Sequence, residues 1–109
     1  MSTRLFLVYR VPGPAWVAGA TTRSQPLWDE HARFMDRIFE ERRIVLAGPY
    51  GTDGRALVVL DIPDAAQGSA LFLEDPWVKS GILLTEKVVE WTIFLDSRGA
   101  AAPAVDLDL

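Results

Sequence analysis

Three of the four β-rich segments in this chain carry apolar residues on both faces, which limits it to folds that bury a sheet from two sides. The segments are Arg4 to Val11 (RLFLVYRV), Ile44 to Ala47, Arg55 to Ile62 (RALVVLDI) and Ile82 to Leu95. Successive strand residues point to opposite faces, so each face is read separately. In the first segment Leu5, Leu7, Tyr9 and Val11 share one face, while Phe6 and Val8 precede Arg10 on the other. In the third, Ala56, Val58, Leu60 and Ile62 oppose Leu57 and Val59. In the last, Leu83, Val89, Trp91, Ile93 and Leu95 oppose Ile82, Leu84, Val88 and Phe94.

Two helical stretches lie between them. Gln25 to Arg43 is amphipathic, with Ser24 as the expected cap and Pro26 in the first turn. Pro63-Asp64 opens a second helix to about Glu74, broken by Asp75-Pro76-Trp77, and a short helical turn continues to Ser80-Gly81. The order is β-α-β-β-α-β, an α+β ferredoxin-like arrangement. Two helices then cover one face of a four-stranded antiparallel sheet. The bare face would expose several hundred square ångströms, and its burial against a second copy is worth on the order of 10 kcal/mol before association costs. A homodimer with paired sheets is therefore expected; the alternative is a monomer that buries its strands in some other arrangement.

A chain of 109 residues suits one domain, expected over 1–96, with an Ala/Pro-rich, flexible tail over 97–109 unless Val105, Leu107 and Leu109 dock on a partner. The absence of cysteine excludes disulfides, thiolate metal sites and cysteine nucleophiles. A single histidine excludes a multi-histidine site within one chain, and no acidic cluster has ligand spacing, so no metal is expected. There is no nucleotide fingerprint and no lysine in a clear Schiff-base setting, so no cofactor is expected either. The net charge of −4 and the lack of a basic stripe argue against nucleic acid. Arg42-Arg43 suits the end of a helix dipole. No apolar run is long enough to span a bilayer, and Met1-Ser2-Thr3-Arg4 leads straight into a strand, so no membrane partner and a cytoplasmic location are expected.

His31 is the one residue whose chemistry stands out. Leu27, His31, Phe34, Met35 and Ile38 fall on one helical face, so the only imidazole points toward the core. Such a residue is either a hydrogen-bonded core group or the working group of an enclosed site. Asp75 is open to a structural reading, as the cap of a short helix. Gly48-Pro49 reads as the end of a strand or part of a pocket wall. Trp77 and Trp91 read first as core. Trp28 falls near a helix N-terminus, where an oxyanion is favoured. Arg10 is either a snorkelling surface residue or an anion clamp. The stretch from Pro12 to Ser24, with its isolated Trp16, is long for so small a domain and reads as a lid or binding loop, or else as a loose insertion.

His31, the apolar strand ending in Ala47-Gly48-Pro49, the turn Asp75-Pro76-Trp77 and Trp91 in the last strand occur in one order. In that order they resemble the YCII-related family of the dimeric α+β barrel superfamily, over about residues 4 to 95. The resemblance implies a catalytic pair of His31 and Asp75 in a pocket between helix and sheet, with Trp28, Arg10, Gly48, Pro49 and Trp77 as candidate substrate-binding residues. It departs in one respect. Relatives often carry a basic residue three positions before the histidine, and Trp28 stands there. An anionic substrate would then fall to Arg23 or Arg10; otherwise the substrate is more apolar. The function expected is a small cofactor-independent enzyme, an isomerase, lyase or dehydrohalogenase-like protein that moves protons on a small ring or enolisable molecule. The alternatives are a non-catalytic ligand-binding or partner-stabilising module and a cofactor-independent monooxygenase. The sequence alone supports no buried Ser–His nucleophile pair, so covalent catalysis is not expected.

Overall fold

The computed structural model describes residues 4–98. Its elements are β1 (Arg4–Pro12), a 3-10 turn (Thr22–Ser24), α1 (Trp28–Glu40), β2 (Ile44–Pro49), β3 (Ala56–Leu60), α2 (Ala65–Phe72), α3 (Pro76–Lys79) and β4 (Leu83–Thr92). The sheet is antiparallel in the order β2-β3-β1-β4. This is the ferredoxin-like α+β fold. Of the expected tail only Ser97 and Arg98 are described; the rest, including Val105, Leu107 and Leu109, lies outside the described residues.

Both main helices cover the same face of the sheet. Val8, Val58 and Leu60 from the sheet pack with Phe34 and Ile38 of α1 and Phe72 of α2. Phe34 and Phe72 meet with ring centroids 6.0 Å apart, so the helices touch over the core. Helix α1 buries His31, Phe34 and Ile38, as its spacing requires. It begins later than expected. Pro26 holds Gln25 extended (φ −67°, ψ 149°), so no helix can run through it, and Ser24 closes the 3-10 turn instead of capping α1. The helix is entered from Leu27 in the left-handed region (φ 61°), with no side-chain cap. That geometry turns Leu27 out to solvent and off the core stripe. At the other end Arg43 N–H bonds Ile38 O and Arg42 N–H bonds Phe39 O, a Schellman closure with Arg42 left-handed.

A bulge corrects the expected face assignment of the last strand. Tyr9 pairs with Lys87 but Arg10 pairs with Thr85, leaving Glu86 as an extra residue. Every side chain before it is flipped relative to those after it. Leu83 therefore lies under the helices with Arg10, not beside Val89 and Trp91, while Leu84 opposes Val11 on the open face. The element ends also shift. Strand β4 stops at Thr92, α2 at Phe72 and β3 at Leu60. Gly48 and Pro49 do not close β2 but belong to it, opposite Leu57 and Ala56. Proline is tolerated there because β2 is an edge strand.

The second face carries Leu7, Tyr9, Leu57 and Val59, with Leu46, Leu84, Val89 and Trp91 exposed. Residues Ile93 and Leu95 border one end of it, beside Leu5 and Val59. The remainder has no covering layer among the described residues.

The connection from β1 to α1 is a built loop rather than a loose insertion. Gly13 N–H bonds Ile82 O at 2.8 Å and Ala15 N–H bonds Gly81 O at 2.9 Å. The buried Gln25 side chain accepts from Val17 N–H at 2.8 Å and donates to Val17 O at 2.9 Å. A Cβ on Gly13 would lie 2.2 Å from Gly81 O, a backbone atom that cannot swing aside. Gly13→Ala is accordingly expected to cost about 2 kcal/mol or more, read as a lowered urea midpoint. A stability unchanged from the parent would contradict this close approach.

Candidate active site

Three side chains from distant parts of the chain meet beneath α1. Arg10 comes from the last third of β1, His31 from the first turn of α1 and Asp75 from the link between α2 and α3. Asp75 sits where it does because Pro76 begins α3, with φ preset for the first helical position. Its Oδ1 accepts the Trp77 N–H at 2.9 Å, so Asp75 is a helix cap. The same carboxylate accepts from the imidazole, with His31 Nδ1 2.9 Å from Oδ1 and 3.0 Å from Oδ2. Arg10 Nη2 donates to Oδ2 at 2.9 Å. Asp75 is fully buried and Arg10 nearly so. The structural and the chemical readings of Asp75 thus describe one group.

Arg10 is neither a snorkelling surface residue nor an open anion clamp. Strand alternation places it on the helix face after Phe6 and Val8, where only a buried carboxylate makes its charge tolerable. Its guanidinium lies 4.1 Å above the Phe72 ring, and Nη1 approaches Met35 Sδ at 3.9 Å. Its buried Nε has no hydrogen-bond partner among the described residues.

The charges can be assigned from these contacts. Burial alone would push the Asp75 carboxyl up, but the His31 hydrogen bond, the Arg10 charge and the Trp77 N–H together hold it below the usual carboxylate range. Burial pulls the Arg10 guanidinium below its ordinary value, against the opposing effect of Asp75. An ionised carboxylate only accepts hydrogen bonds, so the proton of the contact belongs to His31 Nδ1. In the neutral ring Nε2 is then left as a lone-pair acceptor. Among the described residues Nε2 has no hydrogen-bond partner, and it is not sealed from solvent.

The imidazole plane is fixed as firmly as its tautomer. It stacks on the Trp77 indole with centroids 3.8 Å apart and planes 4° from parallel. Trp77 is itself buried and donates Nε1–H to Pro26 O at 2.7 Å. Trp28 leans on both rings at 5.8 and 5.7 Å, and Trp16 meets Trp77 edge-on at 5.9 Å.

In front of this cluster lies a hollow of about 510 Å³, the size of a small-molecule site. Arg10, Trp28, His31, Gly48, Pro49 and Trp77 all reach its wall, whereas Asp75 stands behind His31. Trp16, Met35 and Leu83 also line it, beyond the candidates that the sequence offers. Trp16 was visible as an isolated loop aromatic. Leu83 was hidden by the bulge, and Met35 by the ordinary look of a core methionine. Among the described residues no three His, Asp or Glu side chains converge to hold a metal ion, and no helix is long and apolar enough to cross a membrane.

No family model matches this chain, and no curated protein matches it by sequence. Among solved structures it is similar to the 5-chloro-2-hydroxyhydroquinone dehydrochlorinase TftG from Burkholderia phenoliruptrix AC1100, determined in complex with 2,5-dihydroxybenzoquinone. The two are 17% identical, with a TM-score of 0.57 over 87% of this chain and 98% of that one. The chain therefore shares the fold of that enzyme.

Proposed function

We propose that this chain is a small-molecule enzyme of the YCII-like kind, using His31 to move a proton on a ring or enolisable compound. The carrying observation is the free Nε2 of an imidazole whose other nitrogen is bound to a buried, ionised carboxylate, facing a hollow walled by tryptophans. Nε2 takes a proton from an acidic carbon or hydroxyl of the guest and returns it at another atom, giving isomerisation. If a leaving group departs instead, the outcome is elimination. Asp75 orients the ring and stabilises the imidazolium formed during the step. The dehydrochlorinase chemistry and quinone ligand named for the similar structure favour a small hydroxylated ring as guest. The bare apolar sheet face supports a homodimer, with the second copy covering Leu46, Val89 and Trp91. Sedimentation giving a single-chain mass would contradict that assembly.

The enzymatic reading is tested by incubating the protein in deuterium oxide with enolisable cyclic ketones and halogenated hydroquinones. Exchange is followed by NMR and halide release by ion chromatography. Catalysed exchange or halide loss on at least one ring class is expected. A panel showing neither, with a folded protein, would leave a ligand-binding module as the better description.

A further inference from the structure

The hollow is electropositive within a chain that is acidic overall. Arg10, Arg23 and Arg55 reach its wall, and among the described residues no Asp or Glu does. Two of these cations are already compensated. Arg10 is bound to Asp75, and Arg55 pairs with Asp53 at 2.9 Å and Glu86 at 3.9 Å. Arg23 forms no ion pair among the described residues, and its guanidinium lies 5.7 Å from the Trp28 ring centroid. It is carried by the 3-10 turn Thr22–Ser24, which Gln25 pins through its buried amide and a Thr21–Ser24 hydroxyl contact ties at 2.8 Å. The aromatic chain Trp28–His31–Trp77 runs from beneath Arg23 to the imidazole.

We infer that the hollow takes a planar monoanion, the carboxylate, phenolate or enolate of a small ring, and that Arg23 is the residue that selects for its charge. This rests on the reading of the hollow as a substrate site. The charge count supports one negative group: with Arg10 and Arg55 compensated, a single cation of the wall is left to be satisfied among the described residues. The wall chemistry supports a flat, largely apolar body, since Trp16, Trp28, Trp77 and Met35 offer ring faces and a thioether. The geometry supports a direction. An anionic substituent at Arg23, by the mouth, leaves the ring body extending along Trp28 toward Nε2. Trp28 has a second use here, because an indole face under the guanidinium restricts Arg23 without neutralising it.

The test uses benzoate and benzamide, which share a ring and a shape but differ in charge. Binding at pH 7 is read by quenching of tryptophan fluorescence, in the parent protein and in Arg23→Gln, Arg23→Lys and His31→Gln. The parent is expected to bind benzoate roughly tenfold more tightly than benzamide, the range of one charge-assisted hydrogen bond. Added sodium chloride should erode that preference. Arg23→Gln should bring benzoate down to the level of benzamide and leave benzamide unchanged, while Arg23→Lys keeps part of the preference. Equal binding of the two probes by the parent, including no binding of either, overturns the inference. So does a preference that survives Arg23→Gln. The catalytic reading fails separately: a charge preference retained in His31→Gln, in a parent that catalyses no proton exchange, removes the enzyme and keeps the anion site.

Discussion

Asp75→Ala is expected to lower stability by about 3–5 kcal/mol, the usual consequence of leaving a buried charge without its partner. Arg10 sits under α1 and α2 with a guanidinium nearly closed off from water, and Asp75 is its only carboxylate contact among the described residues. The same substitution removes the cap of α3 and the acceptor of His31 Nδ1–H. Asp75→Asn should cost less, because an amide oxygen can still accept from Trp77. Adding Arg10→Met to Asp75→Ala should recover part of the loss, since the uncompensated cation is then gone. The pH dependence has a definite sign. Asp75 is held below the usual carboxylate range in the fold, so its contribution is complete above the unfolded value and is lost as pH falls through the folded one. The parent should therefore weaken below about pH 4, and Asp75→Asn should weaken less over that interval. Urea midpoints measured from pH 3 to 7 decide it. An Asp75→Ala variant within about 1 kcal/mol of the parent would mean that the buried ion pair does not hold the fold.

His31→Gln is the complementary case, in which activity should fall far more than stability. Glutamine can place an amide N–H toward Asp75 but has no group that accepts and returns a proton near neutral pH. A general acid–base group contributes about 10²–10⁴ in rate, so proton exchange should drop by that factor. Stability should change by about 1 kcal/mol, from the ring stack on Trp77. Exchange kinetics and unfolding curves on the same samples separate the two. A variant that unfolds early and retains exchange would assign His31 to the core.

The fold was legible because the periodicities are clean. The continuous apolar run of β1 and the 3.6-residue stripe of α1 are local signals, and the order of such segments sufficed for the βαββαβ layout. His31 stood out as the single titratable group on an apolar stripe, and Asp75-Pro76 is a recognisable helix start. What stayed hidden was non-local or irregular. Arg10 and Asp75 are 65 positions apart, so nothing near Arg10 shows that its charge is compensated. The bulge at Glu86 breaks the two-residue period without any glycine or proline to mark it, and it alone moves Leu83 into the pocket wall. Leu27 is different. Pro26 already bars a helix through Gln25, so the late start of α1 was written in the chain, but propensity pointed to Ser24 instead.

With one histidine in the chain, its two ring nitrogens can be read directly in a long-range ¹⁵N–¹H spectrum of uniformly labelled protein. Wherever the ring is neutral, the account predicts a single tautomer with the proton on Nδ1, slow to exchange because it is bonded to Asp75. It also predicts that Nε2 is the nitrogen whose signal moves when an aromatic guest enters the hollow. A proton on Nε2, or an averaged mixture of tautomers unaffected by Asp75→Asn, would contradict it.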